Sequence, residues 1–584
     1  MNTHSSLEAF LTHKFEVAFE ALGHDKSHAK VQISVRPELS QFQCNGAMPL
    51  AKIRQKAPFL IAEEIVRQVD DSAVFSLLSV VKPGFINITL TDHFLAGWVN
   101  DMAVDSRLGC QKVKEARNVV IDFGGPNVAK PMHVGHIRST LLGDCLQRIY
   151  RFCGDRVISD VHLGDWGTQM GMLIEELKRM HPDLVYFEAG FEGEYPKESP
   201  VTVHELAEIY PRASNRCKSD PLEMEKARKA TAELQAGRAG YRALWRHFVA
   251  VSIAELKKDF ASLGVQFDLW KGESDVQRFI EPMVGTLKKE GIAVDSDGAV
   301  IIDVSKDEKD KTPPLILLKS DGAVMYGTTD LATIVDRVEN LDSQHMIYVV
   351  DKRQSLHFKQ VFEAAKKGAL APNVTFKHVG FGTLNGKDGR PFKTRSGGVM
   401  HLSTLIDEAK TRAALRDNTD IQEDMRADVI DKIAMATVKF ADLSNVYTSD
   451  YIFDLDKFSQ YEGKTGPYML YSAVRIKSIL RKLGQFNDSV SILPASNEVE
   501  RQLQLVVADL PNAIYRTYDR TEPHHLCEFA FKLAQAFNKF YADSPIATEE
   551  DSRIKGSRVG LCLITLRQLE LVLGLLGIEI PERM

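Results

Sequence analysis

The sequence predicts an α/β fold in three parts: a parallel-sheet domain carrying insertions, a small mixed α/β domain before it and an all-helical domain after it. Three observations predict this. The apolar run Val119-Val120-Ile121-Asp122-Phe123 passes through Gly124-Gly125-Pro126 into a helical pattern from about Val134 through Leu142, Leu146 and Ile149, the opening of a parallel nucleotide-binding sheet. The residues before about 115 mix helical and alternating patterns, and those after about 425 are almost wholly helical in period. Domains are therefore expected at 1–115, 116–425 and 426–584; a chain of 584 residues is too long for one ordinary core.

In the first part, a helical stretch near Leu7 to Leu22 precedes the extended Val31 to Val35, and Gly84-Phe85-Ile86-Asn87-Ile88-Thr89-Leu90 alternates as a strand after a Pro83-Gly84 turn. In the second, Val157 to Val161 is a further strand, ending beside Gly164-Asp165-Trp166-Gly167, and ligands of such folds gather where loops leave the carboxyl ends of strands. A charged helical insertion is expected from about 171 to 263, with Leu244, Phe248, Val251, Leu256 and Phe260 on its apolar face. Strands resume at Val300-Ile301-Ile302, Leu315 to Leu318 and Met346 to Val350. In the third part, Val429, Ile430, Ile433 and Thr437 form one helical stripe and Phe529, Leu533, Phe537 and Phe540 another.

Composition narrows the function classes. With 44% hydrophobic and 26% charged residues and no long uncharged apolar run, no membrane role is expected, and the N-terminal residues predict a cytoplasmic location. The seven cysteines are dispersed, with no Cys-x-x-Cys pair, so buried thiols and no structural zinc are expected. A net charge of −6 argues against unspecific coating of nucleic acid while leaving room for a local basic track.

The strongest chemical signal is Pro126-Asn127-Val128-Ala129-Lys130-Pro131-Met132-His133-Val134-Gly135-His136-Ile137-Arg138-Ser139-Thr140. Two histidines three apart at the mouth of a helix can face one ligand, and Gly135 between them admits close approach of an adenosine moiety. Imidazoles and a helix N-terminus can together stabilise an α-phosphate as pyrophosphate leaves. No Gly-x-x-x-x-Gly-Lys-Ser/Thr loop is present, which separates the chain from P-loop ATPases. A lone His-x-Gly-His is more often a surface loop or a metal pair; Asn127, Lys130 and the glycine-rich strand end some 30 residues later favour a nucleotide site.

The segment resembles the histidine-glycine-histidine signature of class I aminoacyl-tRNA synthetases, in its arginyl form. Further matches are Ser159 through Gln169, Ser320-Asp321-Gly322 through Tyr326, Asp330-Leu331-Ala332, and Gln354 with His357-Phe358, and the resemblance covers essentially the full length. It implies a Rossmann-like catalytic domain with insertions that joins L-arginine to AMP using ATP with Mg²⁺, then passes the arginyl group to the terminal adenosine of tRNA(Arg), and an anticodon-binding helical domain; a monomer is expected. His133, Gly135, His136 and Gly164 would contact ATP, while His162 and Asp165 would line the amino-acid and adenosine pocket; for Asp165, a loop cap is the alternative. Glu273, Tyr326 and Asp330 would surround the guanidinium, a planar cation that asks for carboxylate and phenolic acceptors. If Tyr326 starts a helix, Asp330 falls on its face. Asn127 and Gln354 would hold the amino-acid backbone, with a simple turn role as the alternative for Asn127.

A second phosphate-handling segment, Gly386 to Gly398, resembles the mobile loop of class I enzymes but reads Phe392-Lys393-Thr394-Arg395-Ser396, with no lysine at the second basic place. Arginyl sequences with this altered loop carry a lysine just upstream of the signature, which Lys130 matches. Lys130 is accordingly assigned the missing charge, with Lys393 or Arg395 in support. For tRNA, Phe85 and Asn87 lie two apart on one strand face, where the resemblance places recognition of the tRNA elbow. Tyr461, Lys464, Tyr468, Tyr471, Arg475 and Lys477 offer stacking and phosphate-binding groups for the anticodon stem, joined by Asn538 and Tyr541. Two other readings stay open: another class I synthetase or adenylyltransferase, separable by amino-acid-dependent pyrophosphate exchange, and a non-catalytic RNA-binding paralogue, separable by aminoacylation.

Overall fold

In the computed structural model, described for residues 6–584 apart from 37, 70, 308, 321, 391–399, 416–421 and 485–490, the three expected parts are present. The first is a four-stranded antiparallel sheet in the order Val31–Ile33, Phe42–Cys44, Phe85–Leu90, Phe75–Val81. Helices Leu7–Ala21 and Pro58–Val69 pack on it, and Leu11, Phe15, Ile61, Ile65, Ile86 and Ile88 are fully buried between the layers. Alternation along Phe85–Leu90 sends Ile86, Ile88 and Leu90 inward and turns Phe85 and Asn87 to the opposite face.

The central sheet is all parallel, in the order Thr375–His378, His345–Tyr348, Asn118–Asp122, Arg156–Asp160. Its strands are short and apolar because helices cover both faces, among them Ile137–Cys153, Tyr326–Leu341 and Ser355–Lys367. At its carboxyl end Arg337, 1% exposed, bridges Asp122 at 2.6 Å and Asp160 at 2.8 Å, tying two strand ends to one helix. The helical insertion comprises Thr168–Met180, Val203–Ser219, Pro221–Gln235 and Ala239–Ser262, with its own apolar core around Met170, Leu173, Leu206 and Leu244. A separate antiparallel sheet, Ala293–Ser296, Ala299–Ile302 and Leu315–Leu318, precedes the helix that begins at Tyr326.

The last part is a bundle of Glu423–Leu443, Gly466–Leu483, Glu498–Ala508, Leu510–Arg520, His524–Asp543 and Ser552–Leu575. Buried phenylalanines Phe529, Phe537 and Phe540 supply much of its core, together with Leu533 and Leu569. The same apolar core runs on without a break into the N-terminal domain and the helix Ile137–Cys153. All seven cysteines are buried thiols.

Candidate functional site

His133 ends an extended segment and caps the short turn Val134–His136, from which the helix Ile137–Cys153 continues. Its Nδ1 accepts the Gly135 N–H at 3.1 Å, and the Nδ1 of His136 accepts the His133 N–H at 3.1 Å. A side chain on residue 135 would strike the His133 imidazole, its Cβ falling 2.8 Å from the ring, so glycine lets that ring keep its place. The rings stand 4.0 Å apart. Burial, then Lys130 and His401, hold His133 below the usual imidazole range, and burial with His133 pushes His136 down to about 3. Both rings are thus neutral near pH 7, and since each Nδ1 is an acceptor, each carries its proton on Nε2. They can act as hydrogen-bond donors without a formal charge.

The histidines open on a cavity of about 410 Å³ lined also by Gly124, Gly125, Arg138, Ser139, Asp351, Gln354 and Gly382. Ser139 and Arg138 are the residues that motif reasoning passed over, although both lie in the signature. Ser139 Oγ accepts the Gly124 N–H at 2.8 Å and donates to the Val349 carbonyl at 2.6 Å, clamping the glycine turn to the neighbouring strand end. Arg138 is 1% exposed, pairs with Asp442 of the helical bundle at 3.0 Å and donates to the Gly382 and Ser449 carbonyls. The signature segment is also paired with chain far ahead of it: Val134 N–H donates to Met400 O at 3.0 Å, and Leu402 N–H to Met132 O at 3.1 Å. Lys393 and Arg395 lie outside the described residues; Met400 is the first described residue after them.

Lys130 reaches toward the insertion, its ammonium 4.4 Å above the Tyr210 ring, a contact that holds the cation without neutralising it. Asn127 bridges to Gly164, and a side chain at 164 would meet the Asn127 amide oxygen at 2.2 Å. His162 follows with a strained φ of 23°, and its Nδ1 is buried with no hydrogen-bond partner in a field of carboxylates, Asp122, Asp160, Asp165 and Glu273.

The arginine-pocket candidates converge. Tyr326 is the first residue of the helix Tyr326–Leu341, and Asp330 follows one turn later on the same face. Glu273 opens the turn Glu273–Val276 against which this helix packs; burial, reinforced by Asp165 and Asp330, raises its carboxyl to about 7. Tyr326 is 69% exposed, with burial of its hydroxyl and the Glu273 charge both pushing its pKa up. Asp330 is bonded to His357 Nε2 at 2.5 Å, and Gln354 lies three residues before that histidine, on the rim of the nucleotide cavity. Asp165 is 3% exposed and accepts from Ser274 N–H at 3.0 Å and Ser274 Oγ at 2.6 Å, the geometry of the loop cap named as its alternative, and so holds the Glu273 turn in place. Burial pushes its carboxyl above the ordinary carboxylate range, and the two bonds from Ser274 oppose that shift without cancelling it.

On the N-terminal sheet, Asn87 is 6% exposed and its Oδ1 accepts from Gln43 Nε2 at 3.0 Å, its cross-strand neighbour, while Phe85 is half-buried. Gln43 was not legible because its pairing depends on register. In the bundle, Asn538 joins two expected residues, donating to Tyr468 Oη at 2.8 Å and accepting from Arg475 at 3.1 Å, and Arg475 also donates to Tyr471 Oη at 2.8 Å. Tyr461 and Lys464 are half-buried, and Tyr541 stacks on Phe537. Lys477 departs from the expected surface role: its side chain is 12% exposed and paired with Glu582 at 2.5 Å. Among the described residues, Glu522, His524 and His525 bring metal-type ligand atoms within 4.8 Å of one another. Lys464 near His524 and the start of the helix His524–Asp543 place positive field at that point, which opposes a cation.

Three family models match the chain: the arginyl-tRNA synthetase N-terminal domain over residues 9–90, the class I tRNA synthetase (R) catalytic domain over 99–455, and the DALR anticodon-binding domain over 469–584. The chain is 56% identical to an arginine–tRNA ligase of Francisella tularensis subsp. novicida (strain U112), covering 99% of this chain and 100% of the relative. It is 48% identical to that of Alkaliphilus oremlandii (strain OhILAs), covering 97% and 98%. Among solved structures it is similar to the arginyl-tRNA synthetase of Plasmodium falciparum, with a TM-score of 0.84 at 25% identity and 99% of each chain covered. The Thermus thermophilus arginyl-tRNA synthetase shares the fold, with a TM-score of 0.80 at 22% identity, covering 99% of this chain and 100% of that one.

Proposed function

The chain belongs to the arginyl-tRNA synthetases and is an arginine–tRNA ligase of class I, and from that premise we propose how its own residues divide the reaction. ATP is bound as its Mg²⁺ complex in the cavity below His133 and His136. The arginine carboxylate attacks the α-phosphorus, the bond from that phosphorus to the α,β-bridging oxygen breaks, and pyrophosphate leaves with the electron pair. A hydroxyl of the terminal adenosine of tRNA(Arg) then attacks the arginyl carbonyl, and AMP departs.

The observation that carries this assignment is the acidic corner of Glu273, Tyr326 and Asp330 set beside the nucleotide cavity, with Gln354 on the rim between them. A guanidinium entering there meets carboxylates and a phenol in place of water, which suits arginine and excludes neutral side chains. Asn127 and Gln354 hold the α-amino and carboxylate end, and Gly164 leaves room for the adenosine. His162 offers its unpartnered Nδ1 to substrate, and Asp165 acts on the pocket through Ser274 and through its field on Glu273. The two neutral imidazoles donate through Nε2 to the phosphate oxygens as charge builds in the transition state. Lys130, with Lys393 or Arg395, supplies positive charge toward the leaving pyrophosphate. Phe85 and Asn87 face the tRNA elbow, and Tyr461, Tyr468, Arg475 and Asn538 face the anticodon stem. The enzyme works as a cytoplasmic monomer; no described helix is long and apolar enough to cross a membrane.

Pyrophosphate exchange with a panel of amino acids, run with and without tRNA, tests this division. Exchange is expected with arginine alone of the panel, and exchange with lysine of comparable efficiency would refute the pocket assignment, since a point-charge ammonium cannot use planar acceptors in the same way.

A further inference from the structure

Asp330 does not stand free in the acidic corner. Its Oδ2 is 2.5 Å from His357 Nε2, and both side chains are partly shielded, at 23% and 29% exposure. The two residues come from different helices, Tyr326–Leu341 and Ser355–Lys367, so the contact fixes the carboxylate across a helix interface instead of along one helix. Without it, a carboxylate near the start of a helix could rotate about χ1 and χ2 among several staggered positions. With it, one oxygen is occupied and the other is left in a defined direction. His357 is also one helical turn from Gln354, on the rim of the nucleotide cavity, so the same turn carries a cavity-lining amide and the partner of Asp330.

We propose that His357 is a positioning residue for arginine: its Nε2–H holds one oxygen of Asp330 and leaves the other to the guanidinium, so that a neutral imidazole admits the substrate and an imidazolium opposes it. This rests on the arginine pocket assigned above. With His357 neutral the pair carries one negative charge, which a guanidinium can meet; with His357 protonated the pair is already neutral, and the incoming cation faces another cation. Only the imidazolium and the guanidinium are competitors, for the single negative charge of this carboxylate. The Asp330 hydrogen bond is also the largest influence on His357 and raises its pKa, against the opposite pull of burial. A guanidinium on the other oxygen shares the carboxylate charge and brings a second cation toward the ring, which lowers that pKa, so binding releases a proton and tightens as pH rises. The other titratable groups facing this pair are Glu273 and Tyr326 in the pocket, Tyr348 and His378 on the sheet, and Asp351 beside His378. Of these, Glu273, raised to about 7, is a second group that loses its proton to arginine. The parent should therefore release protons from two groups, and only one of them is His357.

The test compares the parent with His357→Gln, whose amide nitrogen can donate where Nε2 does but cannot titrate, and His357→Leu, which can do neither. The readouts are arginine and ATP KM in pyrophosphate exchange between pH 6 and 8, and the proton release on arginine binding measured by calorimetry in buffers of different ionisation enthalpy. His357→Leu is expected to raise arginine KM about tenfold at pH 8 with ATP KM unchanged, the loss of one charge-assisted hydrogen bond. His357→Gln is expected to recover most of that loss and to release fewer protons than the parent. Thermal melting separates a fold defect from this effect: a merely structural histidine would shift both KM values or neither. Parent-like arginine KM in His357→Leu, or undiminished proton release in His357→Gln, overturns the proposal. Asp330→Ala distinguishes the two levels of the argument: if it leaves arginine KM unchanged, the arginine pocket itself is misplaced; if it impairs arginine use while the His357 variants do not, only the role of His357 falls.

Discussion

Two imidazoles locked as neutral Nε2–H donors leave the fixed positive charge at the signature turn to Lys130, whose ammonium lowers the pKa of both rings and rests on Tyr210 without being neutralised. Lys130→Ala is therefore expected to slow pyrophosphate exchange at saturating ATP by about 10²-fold, the scale of one lost transition-state electrostatic contact, with a smaller change in arginine KM. Near-parent exchange in a folded variant would remove Lys130 from the chemistry. Glu273 makes a pH prediction. Its folded carboxyl stands at about 7 against an ordinary 4.5, so between those values the folded state holds a proton that the unfolded state has lost. Apo stability should fall as pH rises through that window, while the extra melting temperature conferred by arginine should grow, because arginine favours the ionised form. Glu273→Gln should flatten both trends. At this scale the turn that brings the two signature histidines together was legible from their spacing, and the helix shared by Tyr326 and Asp330 from the resemblance. The partners of Asp165 and His357 were not legible: each comes from another element, Ser274 or Asp330, 109 and 27 residues away.

The helix Ile137–Cys153 is where the elements meet. Its apolar spacing and the glycine turn before it announced it in the sequence, and Gly154, in the left-handed conformation with φ 105°, ends it. What the sequence could not announce is that Arg138, buried in its first turn, reaches Asp442 near the end of Glu423–Leu443 and the carbonyls of Gly382 and Ser449. Long-range pairing of this kind leaves no local period. Arg138 has four anchors, Asp442, the Gly382 and Ser449 carbonyls and the Tyr451 ring, and lines the nucleotide cavity, so the bundle helix, the loop at Gly382 and the signature are held as one unit. Asp442→Ala leaves a buried guanidinium without its carboxylate and is expected to cost about 3–5 kcal/mol of stability, read as a lower denaturation midpoint. A paired Arg138→Met, Asp442→Leu variant should recover much of that stability, since the cost lies in the uncompensated charge, yet exchange activity should stay low because the signature helix has lost its anchor. Full activity in the stable pair would show the link to be structural filling alone.

At the scale of the whole molecule, a net charge of −6 conceals an uneven distribution. Tyr471, Arg475, Arg481, Lys482 and Arg583 line one cleft in the bundle, and Arg475 and Lys482 continue into a second with Tyr541. Cationic groups beside phenolic rings suit a folded RNA, which offers phosphates and unstacked bases together. Within that track Arg475 is held by Asn538 and Tyr471, so its guanidinium is presented at little entropic cost, whereas Lys477 is turned away to Glu582. Arg475→Ala should therefore weaken tRNA(Arg) charging at limiting tRNA by about tenfold and reduce the slope of log affinity against log salt by about one unit, the signature of one lost phosphate contact. Lys477→Ala, by the same reasoning, should leave the salt slope unchanged. Arginine KM in pyrophosphate exchange should be unaffected in Arg475→Ala, because the arginine pocket and this cleft belong to different domains. A parent-like salt slope in Arg475→Ala would place the RNA track elsewhere on the bundle. An altered arginine KM with an unchanged slope would mean that Arg475 acts through the packing of its helix and not through RNA.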